Sequence, residues 1–95
     1  IYPSEVEAVL AAHPAVQDVA VVGLPDDTWG ERVCAAIVPR PGQTVTEAEL
    51  VDWCRSRMAG YKRPKQVRLL LESEMPRTAT GKIQHRLLRN HLAGG

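Results

Sequence analysis

Two aliphatic runs separated by one polar loop constrain this chain most: VQDVAVVGL at 16–24 and RVCAAIVP at 32–39, with PDDTWGE between them. Runs rich in β-branched residues and bounded by Pro, Asp and Gly read as strands, the first from about Asp18 to Leu24. The second is closed by Pro39 and the Pro41–Gly42 turn. Their closeness in sequence predicts an antiparallel pair. Upstream, Val6, Val9, Leu10 and His13 recur at helical spacing, with Ser4 and Glu7 as a capping box and His13–Pro14 as the stop. Downstream, Thr46 and Glu49 form a second box that opens a helix to about Met58. Its apolar stripe is Leu50, Val51, Cys54 and Met58, and Ala59–Gly60 ends it. YKRPK (61–65) is a basic connector held extended at Pro64, VRLLL (67–71) a third strand, and PRTATGK (76–82) a loop. Ile83, Leu87, Leu88 and Leu92 mark a last amphipathic helix opening directly after that loop. The order α-β-β-α-β-α predicts an α+β fold: a small, mainly antiparallel sheet of about three strands covered by two or three helices.

Ninety-five residues make one small domain, residues 1–95, too small to enclose a large substrate cavity as well. No run approaches the roughly 20 apolar residues of a membrane span, and the first residues already belong to a helix entrance rather than a leader. The expectation is a domain cut from a longer cytoplasmic chain. Cys34 and Cys54 lack metal-site spacing and read as buried thiols in a reducing compartment; no metal ligands are expected. Residues 1–54 hold nine Asp/Glu and two Lys/Arg, while residues 55–95 hold ten Lys/Arg and two Asp/Glu, so −7 and +8 leave a net +1. A basic half of that kind points to an anionic partner. Nucleic acid is disfavoured, because aromatics are few and no groove-reading motif is present.

Within PRTATGK, Gly81–Lys82 invites comparison with the phosphate-binding pattern G-x-x-x-x-G-K-[ST]. Pro76 at the first glycine position and Ile83 at the Ser/Thr position exclude it, since proline supplies neither the N–H nor the close backbone approach that a phosphate cradle needs. What remains is a cation at the expected mouth of a helix, where the macrodipole prefers an anion. Local rule violations of this kind concentrate at functional sites.

PRTATGK resembles the last core motif of the adenylate-forming superfamily: acyl- and aryl-CoA synthetases, the adenylation domains of peptide synthetases, and luciferases. IYPSEVEAVLAAHPAVQDVAVVGLPDDTWGE resembles the entrance to that family's C-terminal domain, and GYKRPK its basic connector. Three motifs in the right order cover essentially the whole chain. WGERV, VPRPG and the Cys-Arg-Ser run beside Trp53 are similar to benzoate-type ligases.

The resemblance implies a C-terminal lid domain that works with an N-terminal domain absent from this chain. The reaction it implies has two steps: a carboxylic acid and ATP give an acyl-adenylate, then coenzyme A takes the acyl group and AMP leaves. Adenylation domains that pass the acyl group to a carrier protein, or a non-catalytic interaction domain, are the alternatives. By resemblance Lys82 is catalytic, following carboxylate and phosphoryl oxygens as charge builds on them. Thr78, Thr80 and Gly81 are the loop that presents it. Trp29 and Gly30 border the coenzyme A channel, and Tyr61, Arg63 and Lys65 dock its nucleotide and phosphates. Mg2+ is expected on the N-terminal domain. The family's synthetases are also switched off by acylation of the matching lysine, which implies a lysine acyltransferase and deacylase as partners. One face would serve adenylation and the opposite face thioester formation, the domain swinging about a hinge upstream of Ile1.

Overall fold

The computed structural model describes residues 3–28 and 30–94. Three helices and three strands follow in the expected order: α1 (Pro3–Ala11), β1 (Val16–Asp26), β2 (Gly30–Pro39), α2 (Glu47–Arg55), β3 (Gln66–Leu69) and α3 (His85–Gly94), with 3₁₀ turns at Gly60–Lys62 and Glu72–Glu74. The sheet order is β1-β2-β3. β1 and β2 form the expected antiparallel hairpin, from Val16 opposite Pro39 to Asp26 opposite Gly30. β3 joins β2 in parallel, Cys34 to Ile37 beside Gln66 to Leu69, so the sheet is mixed. The parallel pair follows from α2 acting as a crossover between β2 and β3.

The aliphatic runs are buried on both faces. On one side α1 and α2 bring Val6, Leu10, Leu50 and Cys54 against Val16, Val21, Ala35, Ile37 and Val67. On the other, α3 brings Leu88 and Leu92 against Ala20, Val22, Leu24, Cys34, Ala36 and Val38, with Leu70 and Met75 closing the layer. Both edges of the sheet are capped by helix carboxylates. Glu7 Oε2 accepts the Val21 N–H at 3.0 Å on β1, and Glu47 Oε2 accepts the Leu69 N–H at 3.3 Å on β3. Edge N–H groups satisfied in this way no longer template pairing with another chain.

Several boundaries differ from the sequence-based expectation. Thr46 does cap α2, its Oγ1 accepting the Glu49 N–H at 3.1 Å. α2 ends at Arg55, and the Arg57 and Met58 N–H groups turn back onto the Cys54 carbonyl. Ser4 lies inside α1 rather than at its cap, and Glu7 serves the sheet edge instead. α3 does not begin directly after Lys82. Ile83 pairs with Arg77 in an isolated antiparallel bridge, and the helix starts at His85 with the Gln84 carbonyl accepting the Leu88 N–H. β1 carries a bulge near its start, where Val16 faces Pro39 but Asp18 already faces Val38. The extra residue shifts the alternation, so Val16 packs under α1 and α2 while Ala20 and Val22 pack under α3.

Candidate functional site

PRTATGK folds as a tight hairpin loop ahead of α3. The Thr78 N–H donates to the Lys82 carbonyl at 2.8 Å, and the Gly81 N–H to the Thr78 carbonyl at 2.9 Å. The Thr78 hydroxyl oxygen accepts the Lys82 N–H at 3.1 Å and lies 3.0 Å from the Thr80 hydroxyl. Gly81 makes the reversal at φ +88°, where a β-carbon is disfavoured. Thr78, Thr80 and Gly81 therefore shape the backbone from which Lys82 projects. Lys82 is exposed, and among the described residues no carboxylate pairs with its ammonium. The expected clash with a helix dipole is relieved: Lys82 stands on the return limb of the hairpin, ahead of the first turn of α3.

The root of this loop holds residues that the motif reading left out. The Arg77 guanidinium donates through Nη2 to Asp18 Oδ2 at 2.5 Å, through Nε to Glu72 Oε1 at 3.1 Å, and through Nη1 to the Gly81 carbonyl at 3.4 Å. The Asp18 hydrogen bond is the first reason, and Glu72 a further one, that the guanidinium holds its proton even more tightly than usual. Gln17 Nε2 reaches the second Glu72 oxygen at 2.9 Å. The signal for this network was present only as an arginine inside the motif; its partner Asp18 lies 59 residues away in sequence.

The remaining described candidates, Gly30, Arg63 and Lys65, lie toward the opposite end of the sheet. Trp29 lies outside the described residues, as does the Tyr61 side chain. Gly30 opens β2 at φ +79°, beside an Asp26 whose Oδ1 accepts the Thr28 N–H at 2.9 Å. The basic connector leads into β3 and ties to β2 near this hairpin tip, the Lys65 N–H donating to the Val33 carbonyl at 2.9 Å. Lys65 is exposed and Arg63 half-buried. Arg63 Nε is buried without a hydrogen-bond partner among the described residues. Rotating the guanidinium toward an anion breaks no Nε hydrogen bond. Asp18 and the hairpin tip at Asp26 stand at the two ends of β1, roughly 26 Å apart by the rise of a strand. The structure thus places Gly30 at one end, with Lys65 tied three residues along β2 from it, and roots the Thr78–Lys82 loop at the other end through Arg77 and Asp18.

The fold meets part of the charge asymmetry of the sequence. Lys62 pairs with Glu5 at 3.2 Å, Arg77 with Asp18, His85 with Glu7 at 3.5 Å and Arg89 with Glu31 at 3.4 Å. Each pair joins the basic half to the acidic half, so these side chains are met within the chain. Gly23 accommodates the Glu31 side chain, which a β-carbon there would meet at 2.3 Å. Cys34 and Cys54 are buried on opposite faces of the sheet, and burial pushes both thiols up. Among the described residues no group of three or more His, Cys, Asp or Glu could hold a metal ion. Asp18 and Glu72, the carboxylates at the root of the loop, are bound to Arg77.

Comparison with known proteins decides the family. The model of the AMP-binding enzyme C-terminal domain matches residues 5–82, ending on Lys82. The chain belongs to this family. It is 42% identical over 92 residues to an oxalate–CoA ligase of Arabidopsis thaliana, a match covering 97% of this chain and 18% of that protein. It is 45% identical over 93 residues to a long-chain-fatty-acid–CoA ligase of Mycobacterium tuberculosis, covering 98% of this chain and 18% of that one. Among solved structures, ATP-bound MatB from Rhodopseudomonas palustris superimposes with a TM-score of 0.90 at 33% identity, covering 98% of this chain and 18% of that chain. This AMP-binding C-terminal domain thus spans under a fifth of the length of the relatives it matches.

Proposed function

We propose that this AMP-binding C-terminal domain is the mobile lid of an acid–CoA ligase that activates a carboxylic acid with ATP and transfers the acyl group to coenzyme A. The observation that carries the reading is the exposed Lys82 ammonium, without an ion-pair partner among the described residues, on a loop whose backbone is fixed at four points. When the carboxylate attacks the α-phosphate of ATP, negative charge grows on the attacking and phosphoryl oxygens. A point cation held nearby stabilises that charge more in the transition state than in the ground state. The same exposed ammonium is what a lysine acyltransferase would neutralise. Gly30, Arg63 and Lys65 serve the second step toward the other end of the sheet, and the family resemblance assigns Trp29 and Tyr61 to the same step. Two sites at opposite ends of one rigid domain cannot both face one active site, so the domain turns between steps. The adenine pocket, the acid pocket and the Mg2+ ligands belong to the N-terminal partner domain.

The test uses the full-length enzyme. Lys82→Ala lowers acid-dependent pyrophosphate exchange by ~10²–10³-fold, while conversion of preformed acyl-adenylate to thioester largely survives. An equal fall in both half-reactions would overturn the two-ended reading. The 95 residues alone form no adenylate from acid and ATP.

A further inference from the structure

We propose that Arg77 is the positioning residue for Lys82, and that it acts by tying the peptide unit ahead of the lysine to β1. The proposal rests on the adenylation role assigned to Lys82 above. Three groups converge on one guanidinium: the Asp18 carboxylate from β1, the Glu72 carboxylate from the 3₁₀ turn, and the Gly81 carbonyl from the loop tip. The Gly81 carbonyl belongs to the Gly81–Lys82 peptide bond, so holding it fixes the plane from which the Lys82 side chain departs. At φ +88° Gly81 has the freedom to turn that plane, and the Arg77 contact removes it.

The anions are themselves held. The β1 bulge lies just ahead of Asp18, whose Oδ1 accepts the Val19 N–H at 2.9 Å, leaving Oδ2 for Arg77. Gln17 Nε2 holds the second oxygen of Glu72 at 2.9 Å. Arg77 and Asp18 side chains are only 24% and 29% exposed, so solvent and salt screen the pair less than the surface pairs of this domain. A planar fork with donors in fixed directions reaches all three acceptors at once, which an ammonium on a flexible stem does not. Positioning matters here because a displacement of about 1 Å in a catalytic group costs ~10²-fold in rate.

The test compares Arg77→Gln, Arg77→Lys and, from the other end of the contact, Asp18→Asn in the full-length enzyme. Arg77→Gln is expected to lower kcat for pyrophosphate exchange by ~10–10²-fold with KM for acid and ATP unchanged, and to leave thioester formation from preformed adenylate intact. Arg77→Lys, which keeps the charge but loses the fork, recovers less than half of the lost rate. Hydrogen exchange supplies a readout independent of activity. The Thr78, Gly81 and Lys82 amides exchange at least ~10-fold faster in Arg77→Gln and in Asp18→Asn, while Val21 and Ala35 keep their protection. Unchanged loop exchange in both variants overturns the proposal, as does full recovery by lysine or an equal loss of both half-reactions. If Lys82→Ala leaves adenylation intact, the functional reading falls, and the exchange measurement still decides whether Arg77 holds the loop.

Discussion

Gly81 and Gly23 differ in what a methyl group would meet. At Gly81 nothing lies within 4 Å of the added β-carbon, but φ is +88°. At Gly23 the backbone is ordinary, and the obstacle is the Glu31 carboxyl end at 2.3–2.7 Å. Strain at a left-handed φ cannot be relieved by moving a neighbour, whereas the end of a glutamate can swing away. Gly81→Ala is therefore expected to cost about 1–2 kcal/mol within the loop, read as faster exchange of the Thr78 and Lys82 amides. Gly23→Ala displaces Glu31 from Arg89, an exposed pair worth about 0–1 kcal/mol, and gains a comparable amount by restricting the unfolded chain. Its urea midpoint should stay within what roughly 0.5 kcal/mol would produce. A loss at Gly23 larger than that at Gly81 would reverse this ranking of strain over crowding.

At the scale of elements, the two glutamates at the sheet edges mark where local signals stopped informing the sequence. The α2 cap was legible because Thr46 and Glu49 lie three residues apart and bond each other's neighbourhood. The same pattern at Ser4 and Glu7 misled, since Glu7 has a better use fourteen residues away at the Val21 N–H. Glu7→Ala leaves that part-buried donor without an acceptor and is expected to cost about 1–3 kcal/mol in urea unfolding. Glu7→Gln keeps an acceptor and should recover most of the loss; equal costs for the two variants would show that the carboxylate charge, through His85, matters more than the hydrogen bond. Ile83 misled in another way. Its spacing to Leu87 fits a helix, yet it is held in the bridge to Arg77, which spacing cannot reveal. The strand pair, the order of elements and the Lys82 loop were all legible, because aliphatic runs and turn residues act over a few positions. Arg77 was not, because its meaning depends on a bulge and a carboxylate at the far side of the chain. The likeness of WGERV and VPRPG to benzoate-type ligases does not single out an acid either: relatives of similar identity carry names as different as oxalate–CoA and long-chain-fatty-acid–CoA ligase.

At the scale of the molecule, each layer of the core buries one thiol, Cys34 of β2 under α3 and Cys54 of α2 against the opposite face of the sheet. Desolvation is the leading cause that raises each above the ordinary thiol value of 9.0, outweighing the arginines nearby that pull the other way. The sign of the consequence follows from proton counting. Below pH 9 the folded and unfolded chains both keep the thiol protons, so the thiols contribute no pH dependence. Above it the unfolded chain releases protons that the folded chain retains, ν_U falls below ν_N, and stability drops as pH rises. Each thiol contributes at most about 1.4 kcal/mol per pH unit over the window between its unfolded and folded values. Urea midpoints measured at pH 8, 9.5 and 10.5 should therefore fall with pH in the parent chain. In Cys34→Ala/Cys54→Ala the midpoint starts lower, because two packed side chains are truncated, but it should fall less steeply. The difference in slope isolates the thiols from lysine and tyrosine titration, which both chains share. Parallel curves for the two chains would mean that the thiols ionise as readily inside the fold as outside it, and that neither layer of the domain excludes water from its sulfur.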